Sequence, residues 1–454
     1  MPRTLLLKNA TLVATLDDDQ GEIADGAVLI TDNRISAVGA TADLPHSADE
    51  VIDLRGHVVI PGLVNTHHHM FQSLTRALPA AQNAELFDWL SALFPVWGNI
   101  TPEMMTASAT TSMAELVLSG CTTAADHAYL YVNGSRLEDN LEAAHAVGLR
   151  YHGVRGAITL GRSQGGLPPD QVVEQDEDAV LKEMQRVVET HHQRADDAMI
   201  QVALGPSSPF TVTPDLMRQS ALLARDLGVL MHTHTAENSK DLAFSQERYG
   251  MTPAQFAEHT GWVGEDVWHA HCVHLDDHGI DLFGRTGTGV AHCPCSNMRL
   301  ASGIAPIRKM LDHGVKVGLG VDGTASNDGN DLLGEARQAM LVARVRHEDP
   351  TAMSAREALW LATRGGARVL GRDHAIGRLA PGYCADLIAF DLNDIAYAGG
   401  QSDPLASLLF SAPRRVSYSF INGRKVVDRG QLATVDLPRL VENHNRLSRQ
   451  LIGA

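Results

Sequence analysis

Three histidines stand side by side at His67, His68 and His69, directly after the apolar run His57 to Val64. Four further segments end in the same kind of donor. His232 and His234 lead to Glu237, His269 and His271 lead to Cys272, His292 leads to Cys293, and Asp322 follows Val317 to Val321. Each donor closes a short run of β-branched or small apolar residues bounded by turn-forming residues, the pattern of a buried strand. Neutral imidazole is the commonest metal ligand, and a catalytic zinc site takes about three nitrogen or oxygen ligands and keeps a position for water. A lone histidine pair at a strand end can be satisfied by water or backbone alone. Five coincident endings point instead to a catalytic metal centre.

Side chains alternate between the faces of a strand, so His67 and His69 share one face and His68 takes the other. His67-x-His69 therefore reads as a chelating pair and His68 as a packed neighbour. By the same alternation His232 shares a face with His234, and His269 with His271, which leaves open which member of each pair is the ligand.

The elements that must carry these residues are legible in outline. Residues 1–57 alternate short apolar runs with turns, as in Ala27 to Ile30 before Asp32-Asn33, and read as a small β unit. Residues 58–374 alternate strand-like runs with amphipathic helices. Thr213-Pro214-Asp215 starts a helix that stops at Gly228, Thr101-Pro102-Glu103 starts one that stops at Gly120, and Ser354 with Glu357 forms a capping box for one ending at Gly371. Such alternation predicts an α/β fold with a parallel sheet, either doubly wound or a closed (β/α)8 TIM barrel, and no Gly-x-Gly-x-x-Gly turn opens a helix. In a barrel all five donor-bearing ends open on the C-terminal face, where active sites form. Residues 375–454 return to β patterns, Ala385 to Phe390 and Val416 to Ile421 before Asn422-Gly423, and can pair with the first 57 residues.

The formal net charge of −17 argues against a nucleic-acid or anionic-membrane partner and suits a neutral small molecule. No apolar stretch of about 18 residues is present to span a bilayer, and the apolar run at Leu5 to Leu7 is too short for a secretory segment, so a cytoplasmic location is expected. Five cysteines, Cys121, Cys272, Cys293, Cys295 and Cys384, are too sparse for a disulfide framework and are expected to be thiols. His191-His192 lie in a polar helical run and are expected on the solvated surface.

The motifs Pro61-Gly62-Leu63-Val64-Asn65-Thr66-His67-x-His69, His234-x-x-Glu237, Ala270-His271-Cys272, His292-Cys293-Pro294 with Ser296 to Gly303, and Val321-Asp322-Gly323 to Asn327 together resemble the amidohydrolase superfamily. The likeness spans essentially the whole chain and is strongest to the branch of amino-purine, pterin and triazine deaminases and hydrolases. It implies a (β/α)8 barrel with a small β-sandwich domain built from both chain ends. It also implies one divalent metal ion, zinc first and iron(II) second, held by His67, His69, His234 and Asp322. Glu237 would be the acid/base, His271 would hydrogen-bond the water on the metal, and Asp322 would accept that water's proton. Members with two metals bridge them with a carboxylated lysine on the fourth strand; here that strand, Met199 to Pro206, has no lysine, which implies a single ion. Cys295 replaces a serine usual in the relatives. Cys293-x-Cys295 could serve a soft metal, but two packed or half-exposed thiols are the simpler reading.

The implied chemistry is displacement of an amino group from an electron-poor aromatic ring, with release of ammonia. The stretches His69 to Arg76, Ser119 to His127, Thr159 to Gly161 with Gly165 to Pro169, and Cys293 to Gly303 are most similar to the 8-oxoguanine deaminases of that branch. Triazine amino- or ethylaminohydrolases share much of the pattern, although some lack the equivalent of Glu237. A metal-free scaffold of the same fold is a third reading, opposed by the intact donor set. Gln72, an amide that both donates and accepts, is expected at the substrate's ring edge. Trp89, Trp97 and Tyr129 are expected to stack on it or rim the pocket, against the alternative of core packing. Membership would further imply a homodimer.

Overall fold

Residues 2–19, 21–411 and 415–453 are described in the computed structural model. The apolar runs near the start form β1 (Thr4–Ala14), β2 (Glu22–Thr31), β3 (Arg34–Ala40), β4 (Glu50–Asp53) and β5 (His57–Pro61). Next come β6 (Leu63–Asn65), β7 (Cys121–Ala128), β8 (Arg150–Ala157), β9 (Ile200–Pro206), β10 (Met231–Thr235), β11 (Val267–His271), β12 (Gly289–His292) and β13 (Lys316–Leu319). The last strands are β14 (Leu387–Asp391), β15 (Tyr418–Ile421), β16 (Arg424–Asp428) and β17 (Gln431–Leu432). Strands β6 to β13 close into a parallel barrel of eight, sealed where Leu319 of β13 pairs with Asn65 of β6. The other nine strands form one mixed sheet in which the two chain ends meet, β14 running antiparallel to β5 with Ile388 opposite Ile60. The architecture is the expected closed barrel, with a β unit drawn from both termini.

The run from His57 to Val64, expected as one strand, is two. Its first half lies in the terminal sheet and its second half in the barrel, with Gly62 as the hand-over. A Cβ at Gly62 would collide with the Thr122 side chain, so only glycine allows the chain to step between sheets against β7. The three histidines consequently lie just beyond β6 rather than in the strand itself.

The helix ends fall where the caps predict. Thr101 and Thr213 accept hydrogen bonds from Met104 N at 3.3 Å and Leu216 N at 3.0 Å, and Gly120 and Gly228 close their helices in the left-handed conformation. The helix that starts after Ser354 widens into a π-turn over Leu361–Gly365, where Gly365 and Gly366 bring it against the barrel. A Cβ on Gly366 would lie 2.6 Å from the Val64 carbonyl oxygen. Inside the barrel, Val64, Ala125, Val154, Ala203, Trp268 and Ala291 fill the lower layers, as a packed core requires. His191 and His192 are half-buried rather than solvated. His191 pairs with Glu138 at 3.1 Å, and His192 Nδ1 lies 3.1 Å from the Val202 amide, because the polar helix end folds back on β9. The five cysteines are free thiols, and no helix among the described residues is long and apolar enough to cross a membrane.

Candidate active site

Four donors converge above the packed barrel core. His67 Nε2 and His69 Nε2 lie 3.3 and 3.4 Å from Asp322 Oδ1, and His69 Nε2 lies 3.1 Å from His234 Nε2. Ligand atoms of His67, His69 and Asp322, and of His67, His234 and His271, each sit within 4.8 Å of one another, close enough to share an ion. Hydrogen bonds below the site set the tautomers. His69 Nδ1 donates to the His127 carbonyl at 2.8 Å and His234 Nδ1 to the Ser207 carbonyl at 2.6 Å, so each presents a bare Nε2. His232 Nδ1 donates to the Trp268 carbonyl at 2.8 Å, which leaves its Nε2 to accept from His67 Nδ1 at 2.7 Å. His67 is thereby oriented with Nε2 inward as well.

That chain of bonds answers what strand alternation left open. His232 lies one layer lower, stacked on Trp268 at 4.3 Å, and orients His67; His234 faces the centre. The pair on β11 behaves differently, because His269 and His271 do not share a face as expected. His269 points out of the barrel, 2.7 Å from Thr235 Oγ1 and 2.9 Å from the Trp262 carbonyl. His271 has φ +71° and its side chain swings inward at the strand's end, where Nδ1 donates to Asn297 Oδ1 at 3.0 Å. Backbone alternation holds only while the strand stays extended, and a left-handed residue breaks it. His68 points away from the centre and donates from Nε2 to Asn330 Oδ1 at 2.6 Å.

Burial, with neighbouring imidazoles adding to it, drives His67 and His234 well below the ordinary histidine value, and burial lowers His69 too. All three are neutral at neutral pH. Burial by itself would raise Asp322, but the hydrogen bond and charge of His67, then His271 and His69, hold it well below the usual carboxylate range. Asp322 Oδ2 also accepts from Ser296 Oγ at 2.6 Å and Ser326 Oγ at 3.2 Å. Glu237 Oε2 lies 3.5 Å from His271 Nε2. Its burial pushes the carboxyl up to about 7, with His271 opposing and Asp322, Asp241 and Glu85 reinforcing the rise. An acid near pH 7 is poised to both give and take a proton.

These groups floor a cavity walled by apolar and aromatic side chains with a few convergent polar groups, the make-up of a small-molecule site. Gln72, Trp89 and Tyr129 line it. Gln72 Oε1 accepts from Ala325 N at 3.4 Å while its Nε2 has no partner, and a Cβ on Gly323 would occupy the place of this amide. Trp89 Nε1 donates to the Ala325 carbonyl at 3.0 Å, and the Tyr129 ring meets His69 edge-on at 5.0 Å. Trp97 is not at the cavity. It is fully buried behind Phe71, Trp89 and Phe94 and donates from Nε1 to Thr75 Oγ1 at 3.0 Å, so it packs the wall rather than rimming the pocket. Several lining residues were not singled out from the sequence, chiefly Leu86, Leu90, Ser207, Ser208, Phe210 and Thr211. Ser207 and Ser208 follow the end of β9, a position that the C-terminal-face rule marks. His127, buried at the end of β7 with its ring stacked 4.9 Å from His234, was likewise passed over.

Comparison with known proteins agrees with this geometry. The chain is 42% identical over 434 residues to an 8-oxoguanine deaminase of Pseudomonas aeruginosa, covering 95% of this chain and 96% of that one. It is 36% identical over 459 residues to the hydroxydechloroatrazine ethylaminohydrolase of Pseudomonas sp. strain ADP, covering 96% and 93%. The structure of an atrazine chlorohydrolase from Arthrobacter aurescens, complexed with zinc, superposes with a TM-score of 0.93 at 34% identity over 98% of this chain and 100% of that one. The model of the amidohydrolase family matches residues 58–426, from β5 to β16, and this chain belongs to that family.

Proposed function

We propose that this protein is a metal-dependent hydrolytic deaminase of an amino-substituted heteroaromatic base, with 8-oxoguanine as its substrate. The observation that carries the reading is the convergence of His67, His69, His234 and Asp322 beside Glu237 and His271 on the floor of one cavity. Three neutral imidazoles and a carboxylate suit zinc, and iron(II) as well, and the absence of lysine from β9 favours a single ion. When bound, the ion supplies the Lewis acidity that makes water nucleophilic near neutral pH. Asp322 takes a proton from the attacking water and His271 Nε2 orients it. Glu237 carries the proton to a ring nitrogen, so negative charge does not build there as the ring carbon becomes tetrahedral. A carbon–oxygen bond forms, the proton taken by Asp322 passes to the amino group, and the carbon–nitrogen bond breaks with release of ammonia, while the remaining water proton returns to Glu237. The free amide N–H of Gln72 addresses the polar edge of the base, while Trp89 and Tyr129 close on its faces.

The 42% identity to an 8-oxoguanine deaminase supports the choice of base. The second reading, a triazine aminohydrolase, draws on the 36% identity to the ethylaminohydrolase and on the superposition with the chlorohydrolase. A pocket that hydrogen-bonds a ring oxygen or N–H rejects an analogue without it by up to about 10⁴-fold, because its own polar groups are left unpaired. The test is kcat/KM for ammonia release from 8-oxoguanine, guanine, isoxanthopterin, adenosine and a hydroxylated aminotriazine. 8-Oxoguanine should lead, guanine should be poorer, and adenosine poorest. A triazine that exceeds 8-oxoguanine by about tenfold, roughly one hydrogen bond's worth of discrimination, replaces the first reading with the second.

A further inference from the structure

Glu237 stands just beyond the end of β10, and the chain reaches it through Ala236, which is left-handed at φ +53°. A non-glycine residue in that conformation has to be held there by its surroundings. The Ala236 carbonyl accepts from His274 N at 2.9 Å, which ties the turn to the segment after β11. On its other side begins the helix Ser239–Tyr249, whose N-cap Asn238 accepts from Asp241 N at 2.9 Å. In a capping box the acid at the third helical position turns back to the amide of the N-cap itself. The Asp241 carboxylate reaches one residue further. Its Oδ2 accepts from Glu237 N at 3.0 Å, while its Oδ1 has no partner. Asp241 is 1% exposed.

A buried carboxyl group with one oxygen unused destabilises the fold, so capping the helix does not by itself account for it. The bond that Asp241 does make falls on the backbone of the acid/base. The Ala236 carbonyl and the Glu237 N–H belong to one planar peptide unit, so the bonds from His274 and to Asp241 clamp that unit from both ends. With its plane fixed, only the torsions of Glu237 itself remain to place the carboxyl. We propose that Asp241 is a positioning residue for the reaction: it locks the left-handed turn that delivers the Glu237 carboxyl to the cavity floor, where Oε2 lies 3.5 Å from His271 Nε2. Asp241 is absent from the cavity lining and acts through Glu237 alone. The inference rests on Glu237 being the acid/base, and it is independent of which base is the substrate.

The experiment measures kcat, KM and bound metal for Asp241→Leu and Asp241→Asn, alone and combined with Glu237→Gln, in the zinc-loaded full-length protein with the best base of the substrate screen. Asp241→Leu keeps the branched shape and removes both oxygens. Its kcat should fall by about 10²-fold, the effect of a displacement of roughly 1 Å at a reacting group, with KM and metal content unchanged. Asp241→Asn keeps an oxygen for the Glu237 amide and should restore most of kcat. Combined with Glu237→Gln, Asp241→Leu should cost nothing further, because the group it aims no longer transfers a proton. Asn238→Ala removes the cap that fixes Asp241, together with a 3.1 Å bond to Glu85, and covers the case in which Asp241→Leu does not fold. Its loss of kcat should likewise vanish in the Glu237→Gln background. Losses that multiply with that of Glu237→Gln, or metal lost along with activity, overturn the positioning role and leave Glu237 as the acid/base. An unimpaired Glu237→Gln overturns both.

Discussion

Glu237 and His68 test the site at the scale of single residues. Glu237→Gln preserves the shape of the side chain and removes its proton, so the protein should keep its metal and lose about 10²–10⁴-fold in deamination, the usual loss of a general acid/base. Ammonia release and elemental analysis on the same sample check both halves, and an unimpaired variant would refute the assignment. His69→Ala should lose metal and activity together, because its bare Nε2 points at Asp322 and His234. His68→Ala should keep its metal, since His68 serves Asn330 on the far side, and should lose about 1–3 kcal/mol of stability through the unpaired amide left behind. The reverse outcome, with metal lost from His68→Ala and kept in His69→Ala, would show that the two side chains face the other way.

Among the elements, the C-terminal helix Leu437–Ile452 acts on the site from outside it. Leu447 and Leu451 bury against the cluster that holds Trp89 and Trp97. His444 Nε2 donates to the Ser73 carbonyl at 3.1 Å, and Ser448 Oγ donates to the Leu74 carbonyl at 2.7 Å. Both bonds fall on the short 3₁₀ turn Met70–Thr75, which presents Gln72 to the cavity. The double variant His444→Leu/Ser448→Ala loosens that turn without touching the donors on the cavity floor. Two lost hydrogen bonds amount to about 2 kcal/mol, of which roughly 1.4 felt in binding is a tenfold rise in KM. The expected split is therefore a raised KM with a nearly constant kcat for the best base in the screen. A fall in kcat with KM unchanged would count against a positioning role.

At the scale of the whole molecule, a buried ion pair ties the barrel to the terminal sheet. Arg150 at the start of β8 holds Asp386, next to β14, in a fork of two bonds, and the Asn422 amide donates to Asp386 Oδ1 at 2.6 Å. Its Nη1 also donates to the Asp197 and Ala198 carbonyls at 2.7 Å each, so the guanidinium is fully engaged. Asp386→Asn leaves the charge of Arg150 buried and uncompensated, a loss of about 3–5 kcal/mol in comparable cases. The melting temperature should fall by several degrees while kcat/KM at room temperature is retained, because the pair lies at the end of the barrel away from the catalytic centre. An unchanged melting temperature would show that the two units are held together elsewhere.

What can be read without the fold is what depends on neighbours along the chain. Helix caps at Thr101, Thr213 and Ser354, the parity of His67 and His69, and the βα rhythm are local, and the sequence by itself determined them. The donor motifs also marked five strand ends, and with them the face of the barrel that carries the site. Where the chain leaves a regular conformation, the local rule stops applying. Only the tertiary structure decided that His271 turns inward, because the reversal needs a left-handed residue that neighbouring strands hold in place. It also decided between His232 and His234, through bonds to carbonyls 36 and 27 residues away. Trp97 was misplaced for the same reason, since pocket and core are both apolar and differ only in which side of a ring faces empty space.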